Sequence, residues 1–187
     1  GISLIGNPGL ASLSTTTGNI NITGLSTNQH GLYLWGNTSI TTTDGNIIIT
    51  GTSESTDDIA AYGPTPIHSI TTTNGDITLN ANRVVLDNIT TISAGDTLSI
   101  QTASNNTSIG LGNGAAGTLN LNAAELAVLS AGNRIVIGNA DNAGAVHINN
   151  ADLTGETLAL YGGAMTIDGG LDADALSLIS KGIIPTN

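Results

Sequence analysis

The sequence holds 187 residues, enough for one compact domain or several turns of a repeat, with 39% hydrophobic residues but no Phe and 2% aromatics, so a core built on aromatic anchors is excluded and a thin aliphatic one is required. Charged residues make up 9%, and the formal charge is -11 with three Lys and Arg in all, which excludes the basic patch that nucleic acid or an anionic membrane needs. The absence of Cys removes disulfides, thiolate metal sites and thiol nucleophiles.

No run approaches the roughly 18 to 20 apolar residues of a membrane span, and the opening lacks the basic and apolar regions of a signal peptide. A chain that begins at Gly1 rather than Met is expected to be a processed product or a piece of something longer. Residues 1–13 open with ISLIG and a Pro8-Gly9 turn. Residues 12–24 then read SLSTTTGNINITG, and the phrase returns as SITTTDGNIIITG at 39–51 and SITTTNGDITLNA at 69–81. In each, two aliphatics alternate with polar residues (Ile20 and Ile22, Ile47 and Ile49, Ile77 and Leu79), the period of a half-buried strand.

Between the first two copies, residues 32–36 make a short strand holding the only Trp. Residues 52–67, with Glu54, Asp57, Asp58 and a Gly63-Pro64-Thr65-Pro66 turn, read as a loop that leaves the regular structure, because Pro serves no internal ladder. A strand is expected at 84–86. The phrase then shortens to SAGDTLSI at 93–100 and SAGNRIVI at 130–137, and more loosely to GETLAL at 155–160. Further short strands are expected at 109–111, 119–121, 146–148, 165–167 and 176–178. Residues 125–129 are the one candidate helical turn.

Short strands bounded by Gly, Asn and Asp suit a sandwich, a barrel or a solenoid, and whole phrases recur only in the last. The expected fold is all-β, a right-handed parallel β-helix of about seven to eight coils, one solenoid segment over 1–187. Coils starting at Ile20, Ile47, Ile77, Leu98, Leu119, Ile135, Leu158 and Leu176 would build a rod of roughly 35 Å at about 4.8 Å per strand. Gly18, Gly45, Gly75, Gly95 and Gly132 are expected to turn the corners with positive φ, and Asn19, Asn46 and Asp76 to stack just after them.

The NGDITL and AGDTLSI phrases, with GNGAAGTLNLNAAEL at 112–126 and IVIGNAD at 135–141, resemble the repeat region of filamentous-haemagglutinin-type exoproteins, the bacterial adhesins exported by two-partner secretion. The resemblance runs from about residue 12 to 180. It implies a β-helical shaft, an outer-membrane transporter as partner during secretion, and a place outside or on the surface of a Gram-negative cell in adhesion, filaments or biofilm matrix. Gly6-Asn7-Pro8-Gly9 only faintly echoes the Asn-Pro-Asn motifs of that family's secretion signal, so shaft rather than secretion domain is expected.

No catalytic set and no cofactor are assigned. Polysaccharide cleavage would need two facing carboxyls, and Glu54, Asp57 and Asp58 are read as a solvated loop; a carbohydrate-active β-helix is the rival reading. Tyr33 and Trp35 share a face and form a candidate sugar-stacking surface. The Thr runs, represented by Thr42 and Thr72, form a candidate hydroxyl array of the ice-binding kind. His30, His68 and His147 are read as turn or surface residues. Asp168, Asp172 and Asp174 faintly resemble a calcium repeat. Expected partners are copies of the chain end to end and a glycan or protein receptor of host or matrix.

Overall fold

The computed structural model describes residues 1–63 and 68–181; Pro64 to Pro66 of the expected turn and residues 182–184 lie outside them. The chain runs through β1 (Ile2–Thr15), β2 (Ile20–Ser26), β3 (Leu32–Thr42), β4 (Ile47–Ser53), β5 (Ile59–Tyr62), β6 (His68–Thr72) and β7 (Ile77–Asn80). It continues with β8 (Val84–Val85), β9 (Ile89–Ala94), β10 (Thr97–Gln101), β11 (Ile109–Gly112), β12 (Leu119–Leu121) and a helical turn α1 (Ala123–Leu126). β13 (Leu129–Ala131), β14 (Arg134–Ile137), β15 (Val146–Asn149), β16 (Ala151–Gly162), β17 (Met165–Ile167) and β18 (Leu171–Ser180) complete it.

The fold is all-β apart from α1, and its strands form three sheets of parallel pairs. One sheet stacks β2, β4, β7, β10, β14, β16 and β18 in chain order. Its register places Ile20, Ile47, Ile77, Leu98, Ile135, Leu158 and Leu176 in one column. A second sheet pairs β1 with β3, then β3 with both β5 and β6, which continue to β8 and to β9 and β13. The third holds β12, β11, β15 and β17.

Inward residues alternate with outward ones, as in β3, where every second residue is buried. The interior fills with Ile, Leu, Val and Ala from all three sheets, each buried Ile, Leu or Val worth about 1.5–3 kcal/mol. Here the outer faces stay polar, unlike most parallel sheets, which are covered on both sides.

Four expectations are corrected. Leu119 is not in the Ile20 column but pairs in parallel with Ile109 in the third sheet, because the chain loops back to the start of β11 over residues 113–118, with Gly112 (φ 90°) and Gly114 (φ 73°) in the left-handed region. Residues 52–67 are not a plain loop: β5 lies in the ladder, with Ile59 opposite Leu32 and Tyr62 opposite Trp35. Pro8-Gly9 is a break in register inside β1, between Gly6 and Ala11, tolerated because β1 is an edge strand. The helical turn begins two residues earlier than expected, at Ala123, because Asn122 caps it: Asn122 Oδ1 accepts from the Ala124 and Glu125 amides, and Glu125 Oε2 accepts from the Asn122 amide.

The glycines of the repeated phrase are needed for a different reason from the one expected. Positive φ occurs at other glycines, not at Gly18, Gly45, Gly75, Gly95 or Gly132. Instead a Cβ on Gly45 would overlap the Gly18 carbonyl, one on Gly75 the Gly45 carbonyl, and one on Gly132 the Gly95 carbonyl. The corner glycines stack backbone on backbone. Beside them the expected ladder forms: Asn19 Oδ1 accepts from the Asn46 amide at 2.9 Å, Asn46 Oδ1 from Asp76 at 2.9 Å, and Asp76 Oδ1 from Thr97 at 3.0 Å. Each side chain thereby occupies an amide where the chain changes direction and no strand partner exists.

Candidate functional site

Outward side chains on the half of the second sheet made by β1, β3 and β5 give the molecule its one aromatic patch. Tyr33 and Trp35 alternate along β3, and register sets Trp35 opposite Tyr62 of β5. His30, in the corner before β3, stacks on Tyr33 with ring centroids 5.2 Å apart and planes 9° apart. Tyr33 lies 6.1 Å from Trp35 at 24° and 6.0 Å from Tyr62 at 50°. These are the spacings of rings in mutual contact. A recess of about 500 Å³ opens beside them, lined by Ser3, Gln29, His30, Tyr33 and Tyr62 among others.

Asp57 completes the patch. Its Oδ2 accepts from the Tyr62 hydroxyl at 3.2 Å and stands 3.8 Å from His30 Nδ1. Partial burial, with Asp57 beside it, pushes the Tyr62 phenol above its usual range, so the hydroxyl remains a donor through neutral and moderately alkaline solution.

The adjacent carboxylate has the opposite fate. Asp58 is 2% exposed and is no solvated loop residue: Oδ1 accepts from the Ser53 amide at 2.6 Å, and Oδ2 from Asn82 at 2.6 Å and Arg83 at 3.1 Å. It ties β4 to the segment entering β8. Glu54 is exposed on the rim of a separate recess with Leu25 and Thr27. The three acids of residues 54–58 therefore do not form one carboxylate site.

Thr42 and Thr72 do not lie on a ligand surface. Both are 5% exposed, and their hydroxyls donate to the Gly18 carbonyl at 3.2 Å and the Gly45 carbonyl at 2.9 Å. The outward hydroxyl columns belong to their neighbours, with Ser39 opposite Ser69 and Thr41 opposite Thr71, and Ser69 Oγ donates to Ser39 Oγ at 3.1 Å. Asp168, Asp172 and Asp174 are exposed, and Asp174 Oδ1 accepts from the Gly155 amide. Among the described residues no three His, Asp or Glu gather closely enough to hold a metal ion.

His68 also departs from the surface reading, being fully buried in β6. Its Nε2 meets the Tyr62 carbonyl at 3.1 Å, and its Nδ1 the Thr38 hydroxyl. A carbonyl only accepts, so Nε2 carries the proton and neutral Nδ1 accepts from Thr38. Burial lowers the pKa from 6.5. A folded state that resists protonation has this stability in full above pH 6.5 and loses it as pH falls from there through the folded value. The drop in urea midpoint from pH 8 to pH 5 should accordingly shrink in His68→Asn relative to the wild type; equal drops would contradict the assignment.

No family model matches the sequence, no curated protein matches it, and no solved structure matches its fold.

Proposed function

We propose that the chain is a non-enzymatic structural and adhesive module: a stiff segment of right-handed parallel β-helix with seven levels, of the kind that forms the shaft of a secreted bacterial surface adhesin or filament. The observation that carries this reading is the single column from Ile20 to Leu176, which puts an Ile or a Leu in the same register at every level. Strand–crossover–parallel-strand connections are overwhelmingly right-handed, and nearest-neighbour stacking gives a rod whose length follows the number of levels. The ends suit continuation. Ile2 and Leu13 in β1, opposite the buried Leu32 and Ile40, and Leu176 in β18, opposite the buried Leu158, are 40%, 41% and 46% exposed, and among the described residues each of these strands pairs on one side only, leaving an edge that another parallel strand can extend.

Head-to-tail fusions of two and four copies, imaged by electron microscopy, test the reading. Straight rods that lengthen in proportion to copy number are expected. Beads that bend freely about each junction would overturn it, as would turnover of a polysaccharide abolished by Asp57→Ala. Asp57 is the variant that decides the enzymatic rival, since Asp58 holds the fold.

A further inference from the structure

We infer that the patch of Tyr33, Trp35 and Tyr62, bordered by His30 and Asp57, is a binding site for a neutral saccharide. The chain has one Trp and three Tyr, and all but Tyr161 meet here. They lie on an outer face whose other residues in β3 are Asn37, Ser39 and Thr41. The core of this protein is aliphatic throughout, so these rings serve no interior role, and their partly exposed faces, with the exposed Ile5 of β1 opposite Trp35, form an apolar surface on that side.

The polar groups at the border suit a sugar. A pyranose presents a C–H face to a ring and hydroxyl pairs at its edge, and sites for such ligands join apolar contact to a few placed polar groups. The Asp57 carboxylate accepts from hydroxyls, while Gln29 and the Ser3 hydroxyl on the recess wall can both donate and accept. No Lys or Arg side chain is aimed at the patch to hold an anionic ligand: Arg83 is turned to the Ser53 carbonyl, Lys181 sits beside Asp141, and Arg134 belongs to β14. A quaternary ammonium ion needs rings standing apart around it. Here the centroids are 5.2 to 6.1 Å apart, and the rings fill the space between themselves. What remains is the outer surface of the ring row, which a flat sugar face can cover.

Trp35 is the only Trp, so intrinsic emission reports on the site directly. The purified chain is titrated with neutral β-1,4-linked hexasaccharides of glucose, mannose and N-acetylglucosamine, and with choline chloride. A saturable change in Trp35 emission with at least one saccharide is expected, weakened about tenfold or more in Tyr33→Ala and also weakened in Asp57→Asn, which leaves the ring packing in place. Tyr161→Ala should bind as the wild type does. The inference is overturned if no saccharide moves the emission, if choline alone does, or if the saccharide response survives unchanged in both Tyr33→Ala and Asp57→Asn. The site stands on the patch alone, so this result and the rod-length result fail or succeed separately.

Discussion

Asp58→Ala is expected to lower unfolding stability by about 3–5 kcal/mol, measured by urea denaturation, whereas Asp57→Ala one residue away should change it by less than about 1 kcal/mol. The Asp58 carboxylate is the acceptor for three backbone amides at 2.6 to 3.1 Å, inside a region with little water to replace it. Each abandoned buried amide costs about 1–3 kcal/mol. Its backbone is committed as well, with Leu32 N donating to Asp58 O and Asp58 N to Arg83 O, so consecutive levels share the damage. Asp58→Asn should fall between, since an amide oxygen can replace one carboxylate oxygen but the amide nitrogen would face an N–H donor. An Asp58→Ala protein as stable as the wild type would refute the anchoring role.

Gly75→Ala and Gly45→Ala should each destabilise by about 2–4 kcal/mol or prevent folding, while Gly18→Ala should cost little. The three glycines hold the same place in the same phrase. A Cβ on Gly75 would overlap the Gly45 carbonyl and its carbon, and one on Gly45 the Gly18 carbonyl, and those obstacles are backbone that no rotamer change can move. On Gly18 the nearest atom is the Thr15 hydroxyl at 3.3 Å, a side chain that can shift. The ordinary helical or turn propensity of alanine predicts equal effects at all three, so equal losses measured by thermal unfolding would refute the stacking account.

Glu125 gives a third kind of burial. Its carboxylate bridges the Leu86 amide at 2.7 Å and the Asn122 amide at 2.9 Å, while desolvation outweighs those bonds and raises its pKa above 4.5. The sign is opposite to that of His68: the contribution is full below pH 4.5 and is lost as pH rises through the folded value. The helical turn is thus fastened to β8 by a carboxylate that sequence reading treats as an ordinary helix-start residue.

Much of the fold could be read from the chain because a repeat prints its register in the sequence. All seven members of the Ile20 column were identifiable from alternating pairs, five of them behind a Gly-Asn or Gly-Asp corner, and the Asn19, Asn46, Asp76 ladder likewise. The same period of two, carried past Ile40 and Ile70, places Thr42, Thr72 and His68 inside, so their burial was available from the pattern. The strand at β5 was hidden by its acidic neighbours, although Gly51 and Ser53 repeat Gly24 and Ser26 in register. The return of β12 beside β11 was not available, because an alternating pair does not state which sheet it joins.

By itself the sequence determined an aliphatic all-β interior, the corners and the absence of a basic surface, since each follows from local period and composition. Only the tertiary structure decided which of two adjacent aspartates is buried, why the corner glycines are glycine, and that Tyr62 completes the surface begun by Tyr33 and Trp35. The physical reason is common to all three. Each depends on what lies one level away, at separations of 24 to 30 residues, where a carbonyl, an amide or a ring comes within contact only after the chain has gone round and stacked upon itself.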